Sequence, residues 1–422
     1  MKIAMRRNAM KHVVFILALG TASLVRAQPA GNDYSDHQLI LQLMSRIQDL
    51  EAEVQRLKQA SPAALSSVNL GGAQPAAVAL SLAAGQVAPM AAMTPDMSVP
   101  GLPSLHIQGF SDIQYHSSGM PGDHSSIGLG QFDLFLTNRL SNKLSVLGEV
   151  VVEADTTNTM GIDLERLLFQ YSANDYFNLS IGRYHTGIGF YNTAFHHSTW
   201  LQSTVDRPFL FAFEDEGGIL PIHNVGLSAT GRIPSGELGL HYIAEIGNGR
   251  TSRSPSLEAV QNKLDENNGK AVNFGLYARP GGLPGFQAGF SIYRDSLHPA
   301  GSANIGQTIF SGHAVYQSAG LEVMNEVVVL RHNVAGGRLF YIPAFYSQLS
   351  KRFGKVRPYF RYEYMNVPRG EPMYGDVGLL HGPIGGIRYD FSDFAAYKVE
   401  YFRDFTRSGN WNGLRTQVSF TF

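Results

Sequence analysis

Apolar and polar residues alternate along most of the chain from Ser104 to its last residue. The final segment, LRTQVSFTF, shows the pattern clearly, with Leu414, Val418 and Phe422 on one face and Arg415 on the other. A period of two predicts a β-strand whose faces meet different surroundings. Sixteen such segments occur, each of about 9–13 residues, a length that crosses a bilayer when the strand is tilted. They begin near Leu105, Leu129, Lys143, Ile162, Tyr176, His223, Glu237, Ala271, Phe286, Gln307, Leu321, Arg338, Val356, Gly382, Phe394 and Asn412.

The connections between these segments alternate in length. Tight turns such as LSNK, SAND, QSAG and FGK alternate with longer loops such as HSSGMPGDHSSI and NVPRGEPMYGDVGLLH. Short turns on one rim and long loops on the other are typical of outer-membrane barrels. In lipid every backbone polar group needs an internal partner, so such a sheet must close. The sequence therefore predicts an all-β fold, a 16-stranded antiparallel transmembrane β-barrel over residues 104–422. A large soluble sandwich or propeller is the alternative, but no blade-length repeat supports it.

The C-terminus supports the barrel prediction. Bacterial outer-membrane barrels typically end in an alternating strand with a terminal aromatic residue that the assembly machinery reads, and VSFTF resembles that signal. Aromatic residues also cluster near the predicted strand ends, as the girdles at the membrane interfaces require. These are Tyr176, Phe177, Tyr359, Tyr362, Tyr364, Tyr389, Phe391, Tyr401 and Phe402.

The N-terminus has the composition of an export signal. A basic stretch that includes Arg6 and Arg7 precedes the apolar run HVVFILALGTASLV, and VRA predicts cleavage after Ala27. We therefore assign residues 1–27 to a signal peptide, with twin-arginine export as an alternative to the general route. The chain contains no cysteine, which excludes thiolate catalysis, thiolate metal sites and disulfides. Its 33 basic and 34 acidic residues nearly balance, which argues against a nucleic-acid partner.

Heptads follow at residues 34–59 and predict a short α-helical coiled coil ahead of the barrel. One amphipathic helix packed on a domain is the alternative. Packing of Ile or Val at one core position and Leu at the other favours a dimer, whereas RIQDLE resembles a known trimerisation motif. The predicted oligomerisation residues are Ile40, Leu43, Arg46, Ile47, Leu50, Glu51, Val54 and Leu57.

Residues 60–103 are rich in Ala, Pro, Ser and Gly, with almost no charge. Such a composition cannot bury a core, so we interpret this segment as a linker. An even number of strands places both ends of the barrel on the short-turn rim. The coiled coil is then expected in the periplasm.

The longest connection lies between the fifth and sixth predicted strands, at about residues 185–222. The region from Ser104 to Phe422 resembles sixteen-stranded trimeric Gram-negative porins, in which the third long loop folds into the barrel and narrows it. The stretch IGRYHTGIG is similar to a signature of the phosphate-selective porin O/P family, with Gly187 in place of its proline. A coiled coil ahead of the barrel resembles DcaP-like porins. This resemblance implies a homotrimer, which we adopt over the dimer.

Charged residues of the long connection and of the inward strand faces are the predicted pore residues. The predicted constriction residues are Asp206, Arg207, Glu214, Asp215 and Glu216. The predicted pore-lining residues are Arg183, Arg357, Arg361, Arg388, Lys398 and Arg415. Acidic groups in a narrow passage favour cations, and a basic wall opposite them would create a transverse field. Two alternatives stay open: the acidic residues cap the loop or pair with lumen arginines, or the wall is a salt-bridged scaffold.

These patterns predict an outer-membrane porin that lets small hydrophilic solutes or ions diffuse passively. The barrel region holds six lysines. These are too few for the dense basic funnel that phosphate selectivity needs, so the resemblance to phosphate porins concerns the fold and not the transported solute. No GxSxG motif occurs, and we predict no enzyme activity, cofactor or metal site. The expected partners are outer-membrane lipid, other copies of the chain and small hydrophilic solutes or ions, with the cell wall as a partner under the structural alternative. The alternative function is a structural outer-membrane anchor for a periplasmic coiled-coil tether.

Overall fold

The computed structural model describes residues 104–154, 158–195, 199–252, 259–299 and 302–422. Within these residues, sixteen strands form one closed antiparallel β-barrel. Each strand pairs with its neighbours along the chain, and the first strand closes the barrel against the last. The predicted signal peptide, coiled coil and linker (1–27, 34–59 and 60–103) lie outside the described residues.

The strands of the described residues begin within three residues of the positions predicted from alternation. The predicted sixteen-stranded antiparallel barrel is therefore confirmed. The strands are β1 (Leu105–Ser118), β2 (Ser126–Arg139), β3 (Leu144–Ala154), β4 (Met160–Asn174), β5 (Phe177–His185), β6 (His223–Arg232), β7 (Leu240–Gly247), β8 (Ala271–Ala278), β9 (Phe286–Leu297), β10 (Ile305–Ser318), β11 (Leu321–Val334), β12 (Arg338–Lys351), β13 (Val356–Asn366), β14 (Leu379–Asp390), β15 (Ala395–Thr406) and β16 (Asn410–Thr421).

The helices of the described residues are short and lie in connections between strands. One α-helix, α1 (Tyr191–Ala194), and two 3₁₀ helices (Thr199–Leu201 and Phe209–Phe211) lie between β5 and β6, and another 3₁₀ helix (Gly236–Leu238) lies between β6 and β7. No helix in the described ranges is both long enough and apolar enough to cross a membrane. The β5–β6 connection, residues 186–222, is called the inner loop below.

The two faces of the barrel differ as the alternation predicts. Large apolar side chains such as Ile127, Ile162 and Phe310 are exposed on the outer face. Polar side chains such as Glu149 and Gln348 are buried on the inner face. Two of the nine residues assigned to the aromatic girdles are placed differently, because Tyr359 and Phe402 are buried in a cluster with Ile384. Their strands carry aromatic residues at both phases, so composition alone did not separate the two faces.

The inner faces of β10 to β13 contribute many apolar residues to one buried cluster, between polar residues such as Gln307 and Glu326, which the barrel prediction did not anticipate. In β11, Met324, Val328 and Leu330 are buried on this face, while Val323 and Val329 belong to the opposite face. An apolar wall inside a water-filled lumen would be unfavourable, since burial of apolar surface stabilises by about 25 cal/mol per Å². The inner face of these strands therefore needs a cover.

The seam between β1 and β16 is completed by the last residue. The amide of Gly109 donates to the carbonyl of Phe422 at 2.8 Å, and the amide of Phe422 donates back to the carbonyl of Gly109 at 2.9 Å. The Phe422 ring covers Gly109, where any side chain would overlap it. It also stacks on Phe132, with 5.7 Å between ring centroids. The terminal aromatic thus packs across the joint that closes the barrel.

We expect the Gly109→Leu variant to weaken this seam. The new side chain displaces the Phe422 ring, and such overpacking costs about 1–3 kcal/mol of unfolding free energy. Gly128→Leu is the matched control, because nothing lies within 4 Å of a Cβ built on Gly128. Urea unfolding of the folded barrel, followed by its heat-sensitive mobility on gels, measures both variants. Equal losses of unfolding free energy in the two variants would contradict a stabilising role for the packing of Phe422 on Gly109.

Candidate functional site

The inner loop supplies the cover for the apolar inner wall. Its buried residues include Ile188, Tyr191 and Phe211, and they form one hydrophobic cluster with inward residues of β8 to β13. The Tyr191 and Phe211 rings stack with their centroids 5.4 Å apart, and Phe211 meets the Tyr346 ring edge-on at 6.2 Å. Apolar packing therefore places the inner loop inside the barrel against β10 to β13.

Buried glutamates of the barrel wall accept backbone amides of the inner loop. Glu326 of β11 accepts the amides of Phe190 at 2.6 Å and Tyr191 at 2.9 Å, and also the Tyr346 hydroxyl at 2.6 Å. Charge-assisted bonds of this kind are roughly twice as strong as neutral ones. Three further pairs repeat the arrangement: Glu245 with the amide of Gly187 at 2.9 Å, Glu400 with that of Val205 at 3.2 Å, and Glu363 with that of Phe209 at 3.4 Å.

Three of the predicted pore-lining cations lie under the loop and donate to its carbonyls. Arg361 is 1% exposed, Lys398 is 0% exposed and Arg388 is 8% exposed. Arg361 also forms an ion pair with Glu363. Because their charged groups are covered by protein, these three side chains hold the loop. The bonds to loop carbonyls run from Arg361 to Asp206 (2.9 Å) and Arg207 (3.3 Å), from Lys398 to Thr199 (2.5 Å) and Thr204 (2.9 Å), and from Arg388 to Trp200 (2.5 Å) and Gln202 (2.7 Å).

The other three predicted pore-lining residues are less covered. Arg415 lies between Asp206 of the loop, at 3.1 Å, and Glu400 of the wall, at 3.2 Å. The guanidinium of Arg357 donates to the hydroxyl of loop residue Ser203 at 3.0 Å.

Arg183 lies at the end of β5, away from this row. Its guanidinium forms an ion pair with Glu165 at 3.1 Å and donates to Asn262 at 3.0 Å. The six predicted cations are thus divided between loop anchoring and ion pairing with wall or loop carboxylates.

The predicted constriction residues divide into buried and exposed groups. Asp215 and Glu216 are exposed, and the Asp206 side chain is 41% exposed although it pairs with Arg415. Glu214 is 3% exposed, accepts the amide of His223 at 2.8 Å and lies 3.2 Å from its Nδ1 atom.

Arg207, the cation among these predicted residues, lies on an aromatic surface of the loop. Its Cζ atom is 3.6 Å from the centroid of Phe213 and 5.7 Å from that of Tyr191. Contact of a guanidinium with ring faces is favourable, more so where water is excluded. Burial lowers the pKa of Arg207, and the nearby charges of Glu216 and Glu214 oppose that shift. The cation therefore reinforces the fold of the loop around Phe213.

Burial and neighbouring charges shift the pKa values of the carboxyl groups at the loop tip. Desolvation by the surrounding loop and wall raises the pKa of Asp215, with Glu214 and Glu165 adding to the shift. Desolvation also raises the pKa of Glu216, against the charge of Arg207. Burial alone would raise the pKa of Glu214, but the charge and hydrogen bonds of His223 prevail and hold it below its usual value.

The loop tip borders a cleft lined mainly by acidic residues. Its empty volume is about 320 Å³, including the part open to solvent. Arg183 and His223 supply its basic groups. Carboxylates thus face one another from wall and loop, and such an arrangement attracts cations. The acidic lining residues are Glu153, Asp163, Glu165, Glu214 and Asp215. No group of three or more acidic or histidine residues within the described ranges is arranged to hold a metal ion.

Sequence reasoning missed the glutamates that bind the loop. A signal was present in β11, where Glu322 and Glu326 alternate with Met324 and Val328 on the inward face. Glu322 accepts the hydroxyl of loop residue Ser203 at 2.9 Å. A carboxylate isolated in an apolar wall needs donors from elsewhere, and the inner loop provides them.

Solved structures with a similar fold are outer-membrane porins and channels. No protein-family model matches the chain, and no curated protein matches its sequence. The anion-selective porin from Comamonas acidovorans matches with a TM-score of 0.52 at 12% identity, over 76% of this chain and 100% of that chain. The outer membrane channel DcaP of Acinetobacter baumannii matches with a TM-score of 0.52 at 11% identity, over 76% and 97%. OmpF of Salmonella typhi, solved with daunomycin, matches with a TM-score of 0.51 at 11% identity, over 75% and 97%. At these identities the likeness concerns architecture, and residues 104–422 have the fold of the outer-membrane porins.

Proposed function

We propose that this protein is an outer-membrane porin whose inner loop narrows a passive diffusion channel for small hydrophilic solutes or ions. The observation that supports the proposal is the attachment of the described residues of the inner loop to the barrel interior. Apolar packing holds the loop on β10 to β13, hydrogen bonds hold it on β14 and β15, and its 3₁₀ helix Thr199–Leu201 also contacts β1 and β16. Exposed Asp206, Asp215 and Glu216 then border the passage. Transport needs no bond to be made or broken, so we assign no catalytic residue.

The charges around the passage favour cations. Arg361, Arg388 and Lys398 are buried under the loop, so their charges are largely balanced by loop carbonyls and buried glutamates. The exposed groups at the loop tip are carboxylates, and they face further carboxylates across the cleft. A net negative passage concentrates cations and repels anions.

Current through planar bilayers that contain the purified full chain tests this proposal. Under a salt gradient, a reversal potential of the sign set by cations supports a channel controlled by the loop acids. A strong anion preference would mean that the arginines of the wall control passage. Absence of conductance would favour the alternative function, an outer-membrane anchor for a periplasmic coiled coil. The apolar cluster that fills part of the barrel interior supports that alternative.

The cation preference should weaken as pH falls, and it should do so above the usual carboxyl range. The pKa values of Asp215 and Glu216 are raised, so on acidification their negative charges disappear at a higher pH than those of ordinary carboxylates. Reversal potentials between about pH 7 and about pH 4 measure the effect. The Asp215→Asn/Glu216→Gln variant should lose this step. A persistent step in that variant would assign the titration to other groups.

We further propose that the chain forms homotrimers clamped on the periplasmic side by the coiled coil of residues 34–59. Deletion of Ile40 to Leu57 should lower the temperature at which oligomers dissociate on gels of unboiled sample, because the apolar seam between chains is lost. Replacement of the same segment by a Gly/Ser linker of equal length controls for spacing. An unchanged dissociation temperature in both variants would contradict the clamp.

A further inference from the structure

Two arginines flank a threonine on the outer face of β9, β10 and β11. Arg294 pairs with Thr308, and Thr308 pairs with Arg331, in antiparallel register. Strands lie about 4.8 Å apart, so the two arginine Cα atoms are roughly 10 Å apart. The residues next to them in sequence, such as Asp295 and His332, are buried on the inner face. The arginine row therefore belongs to the surface that faces lipid.

This row lies at a defined depth. Arg294 and Arg331 each lie three residues before the end of a strand, and Thr308 lies three residues after the start of one. All three strand ends belong to the rim that carries the long loops. Arginine on the lipid face is costly at the bilayer midplane and tolerated near the interface. The position is thus at the level of lipid head groups on the long-loop side.

The rows on either side have complementary chemistry. Toward the long-loop rim, the adjoining row is polar or small, and toward the midplane it is apolar. The outer row is Ser296, Gly306 and Asn333, and the inner row is Ile292, Phe310 and Val329. Phe310 and Ile292 are exposed on the barrel surface. From the long-loop rim to the bilayer midplane, the surface is therefore first polar, then cationic and then apolar.

The two charges have no counterion among the residues that the structure describes. Neither guanidinium has an ion pair or a hydrogen bond among the described residues, and no carboxylate lies in the three rows. The Arg294 side chain is exposed and that of Arg331 is half-buried. Two unpaired guanidinium groups roughly 10 Å apart at the backbone suit one anion between them, since the arginine fork matches phosphate oxygens.

We propose that this surface binds a phosphorylated glycolipid of the outer leaflet, of the lipid A type. Its phosphate lies between Arg294 and Arg331, its sugar lies beside the polar row, and its acyl chains lie on the apolar row. The order of chemical groups along such a lipid matches the order of the three rows. The inference rests on the proposed outer-membrane location, with the long-loop rim facing outward.

Native mass spectrometry of the full chain in detergent tests the proposal with two probes, diphosphorylated lipid A and the same lipid without phosphates. We expect the wild type to bind the phosphorylated probe more tightly. Arg294→Gln and Arg331→Gln should each weaken binding about tenfold, and the double variant about a hundredfold. Arg403→Gln is the matched control, because Arg403 is also exposed and lies three residues before the end of β15, opposite Asn412. It should bind like the wild type.

Three outcomes would overturn the proposal. The first is equal affinity of the double variant and the wild type, or an equal loss in Arg403→Gln. The second is displacement of lipid A by inorganic phosphate at similar concentration, which would indicate a site for free phosphate. The third concerns a fluorophore on a Thr308→Cys variant. The new cysteine is the single labelling site, because the chain otherwise has no cysteine. We expect brominated lipid to quench the fluorescence of this label. Protection from quenching would mean that another protein chain covers the row.

The binding assay is independent of channel activity. A chain that binds lipid A but carries no current would overturn the porin proposal alone. A conducting chain that ignores lipid A phosphates would overturn this inference alone.

Discussion

Replacement of Arg361 by methionine should free the inner loop near residues 204–207 and raise the single-channel conductance. Arg361 donates to the Thr204 hydroxyl and to the carbonyls of Asp206 and Arg207. Methionine fills much of the same volume but donates nothing. The change also leaves Glu363 buried without its cation, which costs about 3–5 kcal/mol of unfolding free energy. Conductance steps in planar bilayers and urea unfolding measure the two effects.

A second variant separates the effect of the lost Arg361 hydrogen bonds from the effect of the unpaired Glu363 charge. Arg361→Met/Glu363→Gln removes the unpaired charge while an acceptor remains for the amide of Phe209. Stability should then largely return, whereas conductance should stay high because the loop carbonyls still lack their donor. Arg232→Met is the control, since Arg232 pairs with the exposed Asp175 at 3.7 Å and not with the inner loop, and it should leave the conductance unchanged. A double variant with wild-type conductance would show that Arg361 does not hold the loop.

Substitution of both Asp215 and Glu216 by lysine should reverse the ion preference of the channel. The change replaces two exposed carboxylates at the loop tip by two ammonium groups, beside a cleft that includes Glu153 and Asp163. A unit charge a few ångströms from the ion path changes the ion's energy by about 1 kcal/mol or more, so the cation-to-anion permeability ratio should fall at least tenfold. The reversal potential under a salt gradient should therefore change sign.

A control with the same change in charge tests whether position matters. Asp175→Lys/Asp393→Lys alters exposed carboxylates in the short turns between β4 and β5 and between β14 and β15. At physiological salt the Debye length is about 8 Å, so charges on the rims are screened from the passage. This variant should keep the cation preference. Equal shifts in both variants would mean that total charge, and not the loop tip, sets selectivity.

The predicted coiled coil is not tested by the structure. Residues 34–59 and the linker that follows lie outside the described residues, so the predicted trimer clamp rests on heptads and on the RIQDLE motif alone. The predicted constriction and pore-lining residues stay predictions about transport, although the structure now gives each of them partners. Arg361 and Lys398, for example, occur at the inward phase but donate to backbone carbonyls of the inner loop.

The sequence by itself determined the barrel. Period-two alternation, strand length and the alternation of short and long connections are local properties, and each can be read within a few residues. Alternation also determined which side chains turn inward, except for Tyr359 and Phe402, whose strands carry aromatic residues at both phases. It did not determine what they meet there, because the partner segment is distant in the chain. Lys398 binds the carbonyl of Thr199, and Glu326 accepts the amide of Phe190. In the tertiary structure the inner loop packs on the apolar residues of β10 to β13. Only this packing decided which inward charges anchor the loop and which are exposed to solvent.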